Sequence, residues 1–341
     1  MLPLYQVGEV DWLTTQTLYH TLAKLGEEGV VLCWPKTPYV SLGCHQNWED
    51  YNAGSYLPVL RRRVGGSLVY LDRHQVFFQI IVSPSRLANN RTPERWYHYA
   101  LDPIVSYLQE LGLTAELRLP ADILVNGRKI SGNAGGQLDE MVVIVGNLLL
   151  DFSIEAMVTA RSGPHETWHR AFTESMDFHL TTLQECCPQR AWTAEMVMEE
   201  LAQVFAHHLG AKPMPFPWNA FHDAMKTVGE ELTAWEWLQA TRHQNTSSPY
   251  SVKVREGVYL YASRNPDLSH IVAEVDHNEN RILRVWGWEE AAQNSVDKAA
   301  RDFAGAVHLS CTGEELQRMN LAEDVKQLFR ELLAKGRRLP I

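Results

Sequence analysis

The 341-residue sequence predicts an α+β protein in two parts: a main domain with a mixed sheet flanked by helices, and a smaller α+β domain after it. Three observations lead there. Short apolar runs with turn residues between them read as strands, interleaved with stretches of helical periodicity. The run at 141–150 is apolar enough to lie in a sheet covered on both faces. The segment Lys212-Pro213-Met214-Pro215-Phe216-Pro217 carries prolines at alternate positions, which force an extended path and mark a linker. The expected division is 1–212, a linker over 213–221, and a second domain over 222–341.

A helix is expected over 12–25, where Leu18, Leu22 and Leu25 share a face. Strands follow over 30–34, 39–42, 59–62, 68–71 and 76–82. A helix over 92–111 is ended by Gly112. Strands are read near 123–125 and 141–150, and a helix over 193–209 closes this part. Beyond the linker, strands are expected over 235–238, 251–254, 258–261, 271–275 and 281–286, with helices over 289–307 and 314–333. There is no convincing repeat and no low-complexity tract.

Composition narrows the function classes. A formal charge of −10 opposes general nucleic-acid binding, which needs a basic footprint. No apolar run approaches the roughly 20 residues that cross a bilayer. The first residues lack the pattern of a secretory signal. Cys33, Cys44, Cys186, Cys187 and Cys311 are odd in number and form no C-x-x-C pair, so a reducing cytoplasm is expected.

Two clusters carry chemistry. The first is Arg61-Arg62-Arg63-Val64-Gly65-Gly66-Ser67-Leu68-Val69-Tyr70-Leu71-Asp72. Adjacent glycines let the backbone approach a ligand, and arginines can neutralise a phosphate or carboxylate. A hairpin turn with a solvated basic edge would satisfy the same residues. The second runs from Ala121-Asp122 to Gly135-Gly136. Asn126-Gly127 signals a two-residue hairpin turn, which carries Lys129 back along the sheet with Ser131 and Gly132 after it. Lys129 is the only lysine between Lys36 and Lys212. A compact ammonium differs from a planar guanidinium at a crowded reacting centre, although an exposed hairpin lysine would look the same in sequence.

In this order, about 60 residues apart, the two clusters resemble the lipoate–protein ligase family, which shares its fold with biotin ligases and octanoyltransferases. Arg61, Arg62, Gly65, Gly66, Val69 and Asp72 match the family's arginine–glycine motif. Asp122, Asn126, Gly127, Lys129, Ser131, Gly132 and Ala134 match its lysine motif. Gly146-Asn147-Leu148-Leu149-Leu150-Asp151 resembles the strand that follows, and Trp235-Glu236-Trp237 resembles the opening of the accessory domain in two-domain ligases.

The resemblance implies a catalytic domain over 1–212 and an accessory domain over 222–341. It also implies a two-step reaction: lipoate and ATP, with Mg²⁺, give lipoyl-adenylate, and a lysine of a lipoyl-domain acceptor protein then takes the acyl group. Under it Lys129 is the catalytic cation, and Arg62 shares the charge on carboxylate and phosphate. The backbone of Gly65 and Gly66 with Val69 and Tyr70 lines an apolar slot. Arg61, Ser67, Asp122, Ser131, Gly132, Ala134 and Asn147 complete the substrate- and ATP-binding set, with Asp122 as metal ligand. A monomer without nucleic-acid or membrane partners is expected.

The match is a divergent one. Ser67 replaces a third glycine, Leu68 an alanine, Leu71 a histidine and Ala121 an asparagine; 130–211 contains no lysine, its cations including Arg161 and Arg170.

Three other readings stand beside this one. An octanoyl or lipoyl transferase would act through a cysteine without ATP, but Ser162-Gly163-Pro164 holds no cysteine at the corresponding position. His165-Glu166-Thr167-Trp168-His169 matches H-E-x-x-H, the zinc-peptidase signature when it lies on a helix with a third ligand. A non-catalytic binder of lipoylated protein is the third.

Overall fold

The computed structural model describes residues 1–87, 92–240, 250–262, 271–287, 307–311 and 323–335. Its first elements are β1 (Leu2–Val10), α1 (Trp12–Leu25), β2 (Gly29–Pro35), β3 (Tyr39–Leu42), β4 (Val59–Arg61), β5 (Val69–Leu71) and β6 (Gln75–Val82). Then come α2 (Pro93–Glu110), β7 (Ala115–Arg118), β8 (Asp122–Val125), β9 (Arg128–Leu138), β10 (Met141–Leu149), α3 (Ile154–Ala160) and α4 (Glu166–His179). Next are α5 (Leu183–Cys186), α6 (Ala194–Leu209), β11 (Ala211–Pro213), α7 (Trp218–Thr233) and α8 (Trp235–Leu238). The last are β12 (Tyr250–Arg255), β13 (Val258–Ala262), β14 (Val272–Asp276), β15 (Arg281–Trp286), β16 (Val307–Cys311) and α9 (Glu323–Lys335).

By contacts the chain divides into two units, one of Met1–Arg161 with Leu180–Arg242 and the other of Ser162–His179 with His243–Ile341. The break expected over 213–221 is not where the contacts divide. β11 pairs in parallel with β1, Leu2 opposite Ala211 and Leu4 opposite Pro213. It is the edge strand of its sheet, where a proline's missing N–H leaves no ladder bond unmade. α7 then packs on α1, with Gly229 close to Leu13 and Thr17.

The first unit is built on an eight-stranded mixed sheet of order β11-β1-β2-β6-β10-β9-β8-β7. Strand parity sorts its apolar residues. Val30, Leu32 and Trp34 of β2, with Phe78 and Ile80 of β6, join Leu101, Ile104 and Leu108 of α2 and Leu201 and Phe205 of α6 in one core. Val31, Cys33, Phe77 and Ile81 face the other way and pack on Leu18, Tyr19 and Leu22 of α1 and Val228 and Leu232 of α7. Both faces are covered, so these strands are apolar throughout, as expected for 141–150. Chain punctuation sets the helix ends. Asp11 and Thr193 cap α1 and α6 through side-chain oxygens, and Gly26 and Gly210 end them in the left-handed region. A three-stranded sheet, β4-β3-β5, carries the glycine-rich loop between β4 and β5.

The expected strand over 235–238 is instead the helical turn α8. Its aromatic residues favour a strand by propensity, but tertiary bonds decide. The Trp237 indole donates to the Arg61 carbonyl at 2.8 Å, and the Arg61 guanidinium donates to the Leu238 carbonyl. The helix expected over 289–307 lies outside the described residues except at Val307, which begins β16; of the one over 314–333, the described part is α9.

The second unit has a five-stranded antiparallel sheet, β12-β13-β14-β15-β16. Its core joins Ala273, Val275, Ile282 and Val285 to Phe329, Leu332 and Leu333 of α9. α4 belongs here, fastened through the buried Glu274 of β14. That carboxylate accepts from Arg284 at 2.6 and 2.8 Å, from His179 Nε2 at 2.9 Å and from the Ser175 hydroxyl. Arg255 Nε donates to His179 Nδ1 at 3.1 Å, which leaves the His179 proton on Nε2, toward Glu274.

Burial pushes the Glu274 pKa up, but the hydrogen bonds from Arg284 and His179 outweigh it and hold the pKa at about 2. A folded pKa below the unfolded value stabilises the fold above the unfolded pKa, and that contribution is lost as pH falls through the folded one. Glu274→Gln should therefore remove roughly 3 kcal/mol at neutral pH and flatten the acid limb between about pH 4.5 and 2. Urea unfolding across that range checks this; a variant with the parent's acid slope would contradict it.

Candidate active site

The hairpin β8–β9 forms at the expected place. Asn126 and Gly127 both take positive φ, 50° and 78°, as a primed two-residue turn requires. The strands then slip register. Leu124 faces Lys129 but Ile123 faces Ser131, leaving Ile130 as an extra residue, a β-bulge. Paired residues share a face, so the bulge puts Lys129 on the same face as Gly132 and its partner Asp122. Regular alternation would set Lys129 and Gly132 on opposite faces.

The Lys129 ammonium meets the buried Asp122 carboxylate at 2.9 Å while its own side chain stays 20% exposed. A Cβ at Gly132 would lie 3.0 Å from Lys129 Cε and 3.2 Å from Nζ, so the lysine stem runs directly over this glycine. Ser131 is buried, its hydroxyl donating to Asn133 at 3.3 Å. The Gly132 N–H donates to Asn147 Oδ1 at 3.0 Å. Leu180 bridges to Lys129, and the Thr181 N–H donates to the Lys129 carbonyl at 2.9 Å, which holds the edge of the strand that is not paired with β8.

The arginines expected to meet substrate are placed otherwise. All five Arg62 N–H groups go to protein acceptors. Nε and Nη2 donate to the Gly65 carbonyl at 3.0 and 2.7 Å, Nη2 also to the Ser67 carbonyl at 2.8 Å, and Nη1 to the Ser41 carbonyl and hydroxyl at 2.8 and 3.2 Å. Arg61 is buried and donates to the carbonyls of Gly43, Gln46 and Leu238, with Trp237 5.9 Å from its guanidinium carbon. Both act here on main chain. Trp235-Glu236-Trp237, read as the opening of the accessory domain, thus lies in the first unit against Arg61.

The loop they hold needs its glycines at two points. Gly66 has φ +89°, and a Cβ there would come within 2.7 Å of Arg62 Nη2. A Cβ at Gly43 would fall 1.9 Å from the Gly66 carbonyl oxygen. Gly66 also approaches the lysine hairpin, its Cβ position 3.6 Å from the Ala134 methyl. Gly65, Ser67 and Val69 are partly exposed along this loop, while Tyr70 is buried with its ring edge-on to Phe152. Burial, then the neighbouring Asp72, raises the Tyr70 pKa, so the phenol stays neutral. The two clusters therefore face each other.

Sequence reasoning missed Ser41, Gly43 and Gln75. Gln75 is buried and accepts from Asn147 Nδ2 at 2.6 Å; a glutamine heading a strand whose one other polar residue is Gln79 was its signal. Arg161 is buried and pairs with Asp50 at 3.5 Å. His165 caps α4, its Nδ1 accepting from the Trp168 N–H at 3.2 Å, so that nitrogen is engaged with the helix end. Among the described residues no three His, Cys, Asp or Glu side chains gather as a metal site, and the zinc-peptidase reading loses its third ligand.

Residues 8–206 match the lipoyl protein ligase A/B catalytic domain, and the chain belongs to that enzyme family. Among its relatives, the lipoate-protein ligase LplJ of Bacillus subtilis is 25% identical over 221 residues, 62% of this chain and 64% of the relative. The octanoyltransferase LipM of Kyrpidia tusciae is also 25% identical, over 206 residues, 52% of this chain and 74% of that one. The chain thus spans a little under two thirds of the Bacillus relative. A bi-partite lipoate protein ligase from Thermoplasma acidophilum has the same fold, with a TM-score of 0.62 at 14% identity over 72% of this chain and 98% of that one. No helix among the described residues is long and apolar enough to cross a membrane.

Gly43→Ala should force the glycine loop to move and lower stability by about 1–3 kcal/mol or more. Gly65→Ala, with nothing within 4 Å of its Cβ, should change stability by less than about 0.5 kcal/mol. Thermal melts of the two variants check the contrast; equal effects would contradict the packing described.

Proposed function

We propose that the chain is a lipoate–protein ligase, forming lipoyl-adenylate from lipoate and ATP and passing the acyl group to a lysine of a lipoyl-domain acceptor. The observation that carries this reading is the Lys129–Asp122 pair on the Gly132 face, beside the glycine loop. In the first step a lipoate carboxylate oxygen bonds to the α-phosphorus of ATP and pyrophosphate leaves. Negative charge gathers on the phosphoryl oxygens, and Lys129, whose side chain stays partly exposed, supplies a cation to receive it. In the second step the acceptor amine attacks the acyl carbon, AMP leaves with the bonding pair, and the amine loses a proton.

Arg62 contributes by holding the Gly65 and Ser67 carbonyls inward, which leaves the loop's outer backbone, with Val69 and Tyr70, to line the acyl slot. Arg61 has the same kind of role one step further out. A magnesium ion would draw on Asp122 as its protein carboxylate and otherwise on phosphate oxygens, the usual balance for this ion, and would neutralise phosphate charge. Asp122 also orients Lys129. Ser131, Ala134 and Asn147 shape the surrounding strand.

The thiol-dependent alternative finds less support. Cys33 is buried with its pKa raised by burial; burial also raises Cys186; Cys44 and Cys187 are buried too. A nucleophilic thiolate needs the opposite shift. Cysteines outside any disulfide at these positions suit a cytoplasmic protein.

Intact-mass spectrometry of a lipoyl-domain acceptor should show the lipoyl increment only when ATP, Mg²⁺ and lipoate are all present. Transfer from an octanoyl thioester without ATP would favour the transferase instead. Lys129→Ala should lower the rate about 100-fold or more, and Lys129→Arg should not restore it, because the planar fork cannot take the ammonium's place over Gly132. Cys44→Ser should leave transfer intact.

A further inference from the structure

The glycine loop and the lysine hairpin are joined by two side-chain amides whose direction is fixed at both ends. The Gly132 N–H donates to Asn147 Oδ1 at 3.0 Å, and Asn147 Nδ2 donates to Gln75 Oε1 at 2.6 Å. Gln75 Nε2 in turn reaches the Tyr70 carbonyl at 3.3 Å and Asp72 Oδ1 at 3.4 Å. A main-chain N–H can only donate and a carbonyl only accept. Neither amide can turn over without setting N–H against N–H or oxygen against oxygen. Gln75 is fully buried, so a broken link there has no water to replace it.

The pairing of β6 with β10 places these residues on a diagonal, Asn147 opposite Phe77 and Leu149 opposite Gln75. One end of the relay is the glycine over which the Lys129 stem lies, and the other is the exit of the glycine loop. We propose that Gln75 and Asn147 are positioning residues for Lys129, keeping the Gly132 amide, and with it the ammonium, in register with the glycine loop. This rests on the reading that Lys129 stabilises charge in acyl-adenylate formation. Neither residue need touch substrate; both act through Gly132.

The test uses the direction of the relay. In Gln75→Glu the carboxylate still accepts from Asn147 but cannot donate toward Tyr70 and Asp72. Protonation restores that donor, and burial beside the Asp72 carboxylate raises the new acid's pKa. The group is therefore competent below that pKa and incompetent above it. In the full-length chain, kcat for ATP-dependent acyl transfer should fall about tenfold at about pH 8 and recover toward the parent near about pH 6, with the lipoate KM within about threefold throughout. Gln75→Leu, with no donor to restore, should be slow at both values.

Asn147→Ser, at a partly exposed position and too short to span the gap, guards against Gln75 variants that do not fold, and should lose about tenfold in kcat at unchanged KM. Parent-like kcat and pH profile in folded Gln75→Glu and Asn147→Ser would overturn the proposal. If the parent itself transfers no acyl group, the functional reading fails separately, and the relay is read by acetic anhydride labelling. Labelling of Lys129 relative to the exposed Lys212 should then change about threefold or more in the relay variants. Unchanged labelling would overturn it.

Discussion

A buried guanidinium must find acceptors for five N–H groups, and Arg62 finds them on the main chain of Ser41, Gly65 and Ser67 and the Ser41 hydroxyl. That requirement governs much of the first unit. It draws the end of β3 and the turn after β4 around one planar group, and it fixes where the Gly66 carbonyl lies. That carbonyl leaves no room for a side chain at Gly43, and the loop's turn at Gly66 leaves none there either. Arg61 repeats the arrangement one layer out, drawing in Gly43, Gln46 and Leu238. The loop's shape is thus imposed from behind, and its outer edge is turned toward Ala134 on the lysine hairpin. Adjacent arginines at a glycine loop invite an electrostatic reading; here both are also buried and bonded to main chain.

Much of the fold was legible because parity and punctuation are local. The apolar strands over 30–34 and 76–82, the helix over 12–25 and the Asn126-Gly127 turn all follow from spacing and from residues that take positive φ. What was hidden depends on contacts distant in sequence. Trp235–Leu238 coils rather than extends because the Trp237 indole donates to the Arg61 carbonyl and the Arg61 guanidinium to the Leu238 carbonyl, across more than 170 residues. The proline run reads as a linker, yet Ala211–Pro213 pairs with β1. α4 carries a peptidase-like signature, but its polar residues Ser175 and His179 answer to Glu274, and His165 to the helix end.

For the site the division is similar. The lysine segment, its turn and its nearness to the glycine cluster could be read from residue types. Which face Lys129 takes could not, because a bulge is a property of the pairing and not of one strand. The departures from the family pattern at Ser67, Leu68 and Leu71 are absorbed quietly. Ser67 offers its carbonyl to Arg62, as a glycine could, and Leu68 and Leu71 are buried, Leu71 in the core that packs on α1. The substitutions alter what lines the loop more than how it is held.

The extra residue at Ile130 behaves like a phase shift in a reading frame. With period-two alternation, every residue beyond it changes side relative to Lys129. A chain that kept Ile130 but paired it in regular alternation would retain Lys129, Ser131, Gly132 and Asp122 by identity and still separate lysine from glycine. One that gained a residue between Lys129 and Gly132, with the single bulge kept, would meet the same fate. The spacing from Lys129 to Gly132, taken with the bulge, is therefore itself a structural element, and a single residue inserted here weighs more than several substitutions that keep the count.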